Sequence, residues 1–193
     1  MKTSYLYVNG ILTFPGESKN WTGRAVTWTH EHSDHQAEKI EYFAGPIGSR
    51  IHQAERAEKL QKTLAHYTKD NIVLVGHSNG CDVIRDYLEA AKWPSNIIHI
   101  HLLSAACEAD FDKAGFNNLK CPITIWIATQ DKVLLLAKSW IGALMGYGVL
   151  GRTGPVNAKI PVGIIKRDFG HSGWFTEEET DKTMGRIVNV YED

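Results

Sequence analysis

The amino-acid sequence predicts an α/β fold, a three-layer α/β/α sandwich on a mainly parallel sheet of about six strands. Short β-branched runs alternate with longer runs of helical periodicity along the whole chain. Some strand runs, such as "NIVLVG", are continuously apolar after the first residue, which is typical of parallel strands that helices cover on both faces. With 193 residues and no linker or repeat, we expect one domain over residues 1–193.

The first half of the chain supplies three strands and two helices. A β-rich run at 4–10 ends in Asn-Gly, a turn signal. Residues 20–35 fit a helix despite a strand-like "AVTWT" at their centre, and 39–45 fit a second strand. Apolar residues recur among charges over 49–67, which predicts an amphipathic helix, and 71–76 is the buried strand quoted above.

The second half continues the alternation. We expect a helix at 80–93, strands at 96–105, 122–130 and 161–167, an apolar helix at 134–146, and a closing helix at 176–192. The loop at 145–155 carries four glycines, which lower the cost of unusual backbone angles. We therefore expect a small flap within 134–160 that opens and closes over a pocket.

Composition excludes several classes of function. The net charge is −1 and basic residues are scattered, so no footprint for nucleic acid or an anionic membrane is present. No apolar run reaches the length of about 18 residues that membrane insertion needs. Three cysteines without a C-x-x-C pair suit a reducing compartment, so we predict a cytoplasmic location. The oligomeric state is not determined by these features.

The most informative motif is Gly76-His77-Ser78-Asn79-Gly80, which has the pattern G-x-S-x-G. It follows a strand run directly and opens a helix run, the context in which this pattern raises a serine hydroxyl above a sheet edge. Small residues at both ends let strand and helix approach closely. The serine then lies at a helix N-terminus, where backbone N–H groups stabilise negative charge.

A serine hydroxyl needs a base to take its proton and an acid to orient that base. Asp131 follows the strand "ITIWIATQ", and His171 follows the next strand and precedes the last helix. Asp110, Asp112 and Asp168 are competing acids, of which Asp168 lies too close to His171 in the chain to orient it. We favour Asp131, and we interpret His77 as a structural residue of the turn.

The chain resembles the small α/β-hydrolase-fold serine hydrolases, a family with esterases and lipases, over essentially its whole length. The resemblance is carried by "GHSNG", "ATQDKVL" and "FGHSGWF", and it implies a minimal version of that fold without its first two strands. It also implies a catalytic triad of Ser78, His171 and Asp131. The implied oxyanion hole uses the backbone N–H of Asn79 and a second one near Asn9-Gly10-Ile11, for which Ile11 is the candidate.

A rival pattern, H-x-H-x-D-H, occurs at His30, His32, Asp34 and His35. Metallo-β-lactamase-type hydrolases hold two metal ions with this spacing, so a metal-dependent hydrolase is one alternative function. If 20–35 is helical, His30 and Asp34 share one face while His32 and His35 share another, so one ion cannot gather all four easily. We therefore expect neither a metal nor another cofactor.

The expected reaction is hydrolysis of a small-molecule acyl ester through an acyl-enzyme on Ser78. Thioester and amide substrates stay open, and a non-catalytic binding module of the same fold is a further alternative. Apolar side chains after Asp131 and near His171 are candidates to line an acyl pocket or simply to pack: Trp140, Leu144, Tyr147 and Trp174.

Overall fold

The computed structural model of the chain describes residues 2–10, 20–42, 52–137 and 148–188. Six strands are present: β1 (Thr3–Val8), β2 (Gln36–Ile40), β3 (Asn71–His77), β4 (Ile97–Leu103), β5 (Ile123–Ala128) and β6 (Val162–Arg167). The helices are α1 (Trp21–His32), α2 (Gln53–Leu64), α3 (Gly80–Ala90), α4 (Phe111–Ala114), α5 (Lys132–Ala137), α6 (Leu150–Thr153) and α7 (Glu177–Val188). Within these ranges no helix has the length and apolar character that crossing a lipid bilayer requires.

The strands form one sheet in the order β2-β1-β3-β4-β5-β6, and every neighbouring pair is parallel. The predicted three-layer sandwich with a parallel six-stranded sheet is therefore confirmed. All the strands end at the same edge of the sheet, so the loops that follow them converge there. The loops after β1, β3, β5 and β6 carry the residues that the sequence singled out.

Alternation along the strands divides the core between the two faces of the sheet. In β1, Leu6 and Val8 point to one face, while Tyr5 and Tyr7 point to the other. The first face packs against the apolar stripes of α2 and α3, and the second packs against α1 and α7. The central strand β3 is buried on both faces, as its unbroken apolar run predicts.

Two predicted elements differ from the structure near the N-terminus. The second strand is β2 at 36–40 rather than 39–45, because it is an edge strand of polar residues whose only fully buried side chain is Ile40. Such a strand lacks the apolar pattern by which strands are recognised. The helix predicted over 20–35 ends at His32, where Ser33 takes an extended conformation and its hydroxyl donates to the carbonyl of Thr29.

The glycine-rich loop is packed against the residues after β4 where the structure describes it, at 148–155, and opening of a flap within 134–160 stays a prediction. The N–H of Gly148 donates to the Ala106 carbonyl at 2.6 Å, and the N–H of Gly151 donates to that of Ala105 at 2.9 Å. A Cβ on Gly151 would lie 2.0 Å from the Ala105 nitrogen. These glycines thus allow two backbone segments to touch. Residues 145–147 of the expected loop lie outside the described residues.

Candidate active site

Ser78 occupies the sharp turn between β3 and α3. Its φ of 56° is in the left-handed region, which a residue with a side chain adopts only under constraint. A Cβ on Gly76 would lie 2.8 Å from Ile84, and a Cβ on Gly80 would lie 2.4 Å from the Asn9 carbonyl oxygen. The small residues two before and two after the serine are therefore required for close packing. The structure confirms the strained strand-to-helix turn that the motif predicts.

His171 and Asp131 are joined directly at the same edge of the sheet. Nδ1 of His171 lies 2.6 Å from Oδ2 of Asp131, which is completely buried. The other carboxylate oxygen accepts the Leu134 N–H at 2.9 Å, and Arg152 donates to the Asp131 carbonyl at 2.7 Å. The carboxylate is thus fixed in orientation on both oxygens. It accepts from Nδ1, which leaves Nε2 of His171 as the nitrogen able to take a proton.

The competing acids are bonded elsewhere. Asp168 accepts from the Thr129 hydroxyl at 2.7 Å, and hydrogen bonds from the loop after β5, this one foremost, lower its carboxyl pKa. Asp110 caps α4, accepting the N–H of Asp112 at 3.0 Å. Asp112 itself forms a surface ion pair with a lysine. Of the four acids considered, Asp131 is the one that the structure bonds to His171.

His77 connects the serine turn to the histidine loop. Its Nε2 lies 2.9 Å from the His171 carbonyl oxygen, and since a carbonyl only accepts, Nε2 carries the hydrogen. The two imidazole rings lie 4.9 Å apart. Burial, reinforced by the neighbouring His171, lowers the pKa of His77 to about 3, so this ring stays neutral at ordinary pH. The contact places the histidine loop against the residue that precedes Ser78, in agreement with a structural role for His77.

The positions expected to form an oxyanion hole flank Ser78. Asn79 is the N-cap residue of α3, so its backbone N–H is among those that have no acceptor within the helix. On the other side, a Cβ on Gly10 would lie 3.1 Å from the Ser78 Cβ. The loop after β1 therefore lies against the serine, as a second donor from this loop requires. Ile11 itself lies outside the described residues.

Of the candidate pocket residues, Trp174 is packed in the core and 1% exposed. Its indole N–H donates to the Ser104 hydroxyl at 3.0 Å, and its ring makes edge contacts with Trp126 and Phe169. For Trp174 the structure thus favours packing over lining a pocket. The other three candidates, Trp140, Leu144 and Tyr147, lie outside the described residues.

The histidine-rich segment does not form a common cluster. Nε2 of His30 accepts the Ala37 N–H at 3.3 Å, which occupies its lone pair. His32 bonds to the carbonyl of Trp28 and stacks on its ring, while His35 lies against an aromatic side chain of β1. Because α1 ends at His32, the i, i+4 relation expected between His30 and Asp34 does not exist. In the part of the chain that the structure describes, no three metal-binding side chains converge.

Two neighbours of the serine turn carry no signal in the sequence. Arg56 and Tyr42 are both buried beside Asn79 and Asn9, although Arg56 is one of many charges in an amphipathic helix pattern. Their proximity depends on the strand order, which local periodicity does not reveal. The burial of Arg56 on a helix that otherwise reads as charged and solvated can be recognised only when the strand order is known.

Comparison with known proteins supports the fold. No protein-family model and no curated protein sequence matches this chain. Among solved structures, mouse α/β hydrolase domain-containing protein 10 is similar at a TM-score of 0.64 and 10% identity, covering 97% of this chain and 88% of that one. ClbQ from the colibactin NRPS/PKS pathway matches at 0.60 and 12% identity, covering 100% and 98%.

An α/β serine hydrolase homologue from Coxiella burnetii is also similar, at a TM-score of 0.59 and 12% identity, with 98% of this chain and 85% of that chain covered. At these identities the likeness concerns the fold. It agrees with the parallel six-stranded sheet. The chain is an α/β-hydrolase-fold protein.

Proposed function

We propose that the chain is a serine hydrolase that cleaves a carboxylic ester by a triad of Ser78, His171 and Asp131. One observation carries the proposal: the 2.6 Å hydrogen bond between His171 and the buried Asp131, held against the turn that bears Ser78. A buried acid that orients an imidazole beside a strained serine is the arrangement that activates a hydroxyl as a nucleophile. The likeness to hydrolase-fold structures agrees with this reading.

The reaction follows from the groups present. Nε2 of His171 takes the Ser78 proton as the hydroxyl oxygen attacks the ester carbonyl, and Asp131 stabilises the imidazolium that forms. The oxyanion of the tetrahedral intermediate binds the Asn79 N–H and a second N–H from the loop after β1. His171 then protonates the leaving alcohol, and the acyl group stays on Ser78. A water molecule, activated by the same imidazole, hydrolyses the acyl-enzyme.

Thioesters would follow the same steps with a thiolate leaving group, and the ester is proposed as the first class to test. Every step uses side chains and backbone amides of the chain, so the proposal includes no cofactor. A cytoplasmic location belongs to the same proposal, supported by the three cysteines, each of which is a free thiol.

The test is active-site labelling with a fluorophosphonate probe, followed by hydrolysis of p-nitrophenyl esters of graded chain length. Ser78→Ala should abolish labelling and lower kcat by on the order of 10⁴- to 10⁶-fold. Ser95→Ala is the matched control, since Ser95 is exposed and precedes β4 at the opposite edge of the sheet. Undiminished turnover by Ser78→Ala would exclude the serine mechanism. A wild-type protein that neither labels nor hydrolyses would support the non-catalytic binding module instead.

A further inference from the structure

Arg56 is a buried charged residue beside the serine turn. It lies in the first turn of α2 and is 5% exposed, a degree of burial that arginine rarely shows. Its Nη1 donates to the side-chain oxygen of Asn79 at 3.4 Å. Its guanidinium carbon lies 4.9 Å from the centre of the Tyr42 ring, within the range of a cation–π contact. Arg56 therefore touches both the residue after Ser78 and an aromatic ring from the loop after β2.

Tyr42 extends this chain of contacts to the end of β1. The tyrosine is 7% exposed, and its hydroxyl donates to the carbonyl oxygen of Asn9. The same carbonyl is the one against which Gly80 packs at the start of α3. The Asn9 side chain in turn accepts the N–H of Gly10 at 3.2 Å. Tyr42 thus fixes the backbone segment that lies against the other side of Ser78.

We propose that Arg56 and Tyr42 form a positioning bridge that sets the spacing between the two backbone segments of the oxyanion hole. One end of the bridge holds Asn79 through its side chain, and the other end holds Asn9-Gly10 through the Tyr42 hydroxyl. The inference rests on the serine mechanism proposed above. It assigns to the bridge the role of holding Asn79 and the Asn9-Gly10 segment at a fixed spacing beside Ser78.

Spacing matters because an oxyanion hole acts only through donors about 2.7–3.1 Å from the developing charge. The ground-state carbonyl tolerates a looser fit, so a misplaced amide weakens transition-state binding more than substrate binding. Loss of the bridge should therefore lower kcat and leave KM nearly unchanged. The pH profile, set by His171 and Asp131, should keep its shape.

The arginine side chain suits this role better than a lysine would. A planar guanidinium can stack on the Tyr42 ring and donate in its own plane to Asn79 at the same time. An ammonium group carries the same charge without that geometry. Arg56→Lys therefore separates the two explanations, because it should restore activity if only the positive charge matters and should fail if the planar contacts matter.

The experiment compares steady-state hydrolysis of p-nitrophenyl acetate by wild type, Arg56→Met, Arg56→Lys, Tyr42→Phe and the double variant Arg56→Met/Tyr42→Phe. Each Arg56 variant and Tyr42→Phe should lose roughly 10- to 100-fold in kcat with KM within about twofold. The double variant should lose little more than either single one, since both act through one bridge. Affinity for a boronic acid inhibitor, which mimics the tetrahedral intermediate, should fall in parallel with kcat.

Arg85→Met is the matched control, since Arg85 is a half-buried arginine whose ion pairs are with Asp82 and Asp86 on α3. It should retain kcat, and a loss as large as that of Arg56→Met would assign the effect to general destabilisation and overturn the bridge. Wild-type kcat in Tyr42→Phe, which preserves the ring and is the mildest change, would also overturn it, as would full activity in Arg56→Lys. An inactive wild type would refute the proposed function and the bridge together, whereas an active wild type with unaffected bridge variants would refute the bridge alone.

Discussion

Acid should destabilise this protein strongly, because three buried histidines are neutral in the folded state. Burial lowers the pKa of His99 to about 4, and the same cause, with His99 adding, holds that of His101 well below its usual range. Their rings stack 4.4 Å apart, and each is hydrogen-bonded to a side chain of β5, namely Thr124 and Trp126. His77, beside the serine turn, has a pKa of about 3.

The magnitude follows from proton linkage. In the unfolded chain each imidazole titrates near 6.5, so below that pH the unfolded state binds more protons than the folded state. The free energy of unfolding therefore has its full value above about pH 7, and it decreases as the pH falls toward the pKa values of the folded state. Between pH 7 and pH 5 each histidine should cost about 2 kcal/mol, and the three together about 5 to 6 kcal/mol, of the free energy of unfolding. Small domains have only about 5–15 kcal/mol in total.

Urea unfolding followed by circular dichroism at pH 7, 6 and 5 measures this loss. His99→Gln should reduce the difference in unfolding free energy between pH 7 and pH 5 by about 2 kcal/mol, whatever its effect on absolute stability. His66→Gln is the control, because His66 is exposed and its replacement should leave the difference unchanged. A wild-type loss below about 2 kcal/mol, or an equal loss in His99→Gln, would refute the argument that these rings stay neutral when buried.

Three further results are expected. Gly151→Ala should lower the free energy of unfolding by roughly 1–3 kcal/mol or more, since its Cβ would lie 2.0 Å from the Ala105 nitrogen. Gly185→Ala in α7 is the control, because its Cβ would meet no atom within 4 Å. In the same denaturation assay this variant should be neutral or stabilising. Asp131→Asn should lower ester turnover by about 10⁴-fold, because the amide no longer holds His171 in the tautomer that the proposed mechanism needs; a loss under tenfold would contradict this. Dialysis against EDTA should leave turnover unchanged, and a loss that Zn²⁺ restores would instead make the segment 30–35 a metal site.

The sequence predicts the centre of this fold better than its edges. Strands β3, β4 and β5 are buried along almost their whole length and are mostly apolar, so their runs are visible without any knowledge of the sheet. Strand β2 pairs only with β1 and is polar along most of its length, and it is found a few residues away from its predicted place. The residues of an edge strand are polar because one side of the strand faces solvent. Loop residues are polar for the same reason, so the sequence does not distinguish the two.

The candidate site divides in the same way. Ser78 is recognisable because the turn that bears it imposes glycines at fixed positions, and those constraints are local. Arg56 contacts Asn79 across 23 residues of sequence, and nothing in the helix pattern distinguishes it from its solvated neighbours. Glycine composition in the loop predicted at 145–155 has two possible causes, because the tolerance of unusual backbone angles and the need for close packing both select glycine. For residues 148–155, close packing is visible only in the structure, where Gly148 and Gly151 lie against the backbone of Ala105 and Ala106.

The strand order has a consequence for synthesis on the ribosome. Because β6 lies at the edge of the sheet and comes last in the chain, the five preceding strands can pair before it has emerged. A nascent chain of that length holds Ser78 and Asp131 but not His171, which follows β6. Such a chain lacks the residue proposed as the general base. The last strand of the sheet therefore brings with it the histidine that the proposed chemistry needs, so under the proposed mechanism we expect a protein truncated before β6 to form no acyl-enzyme.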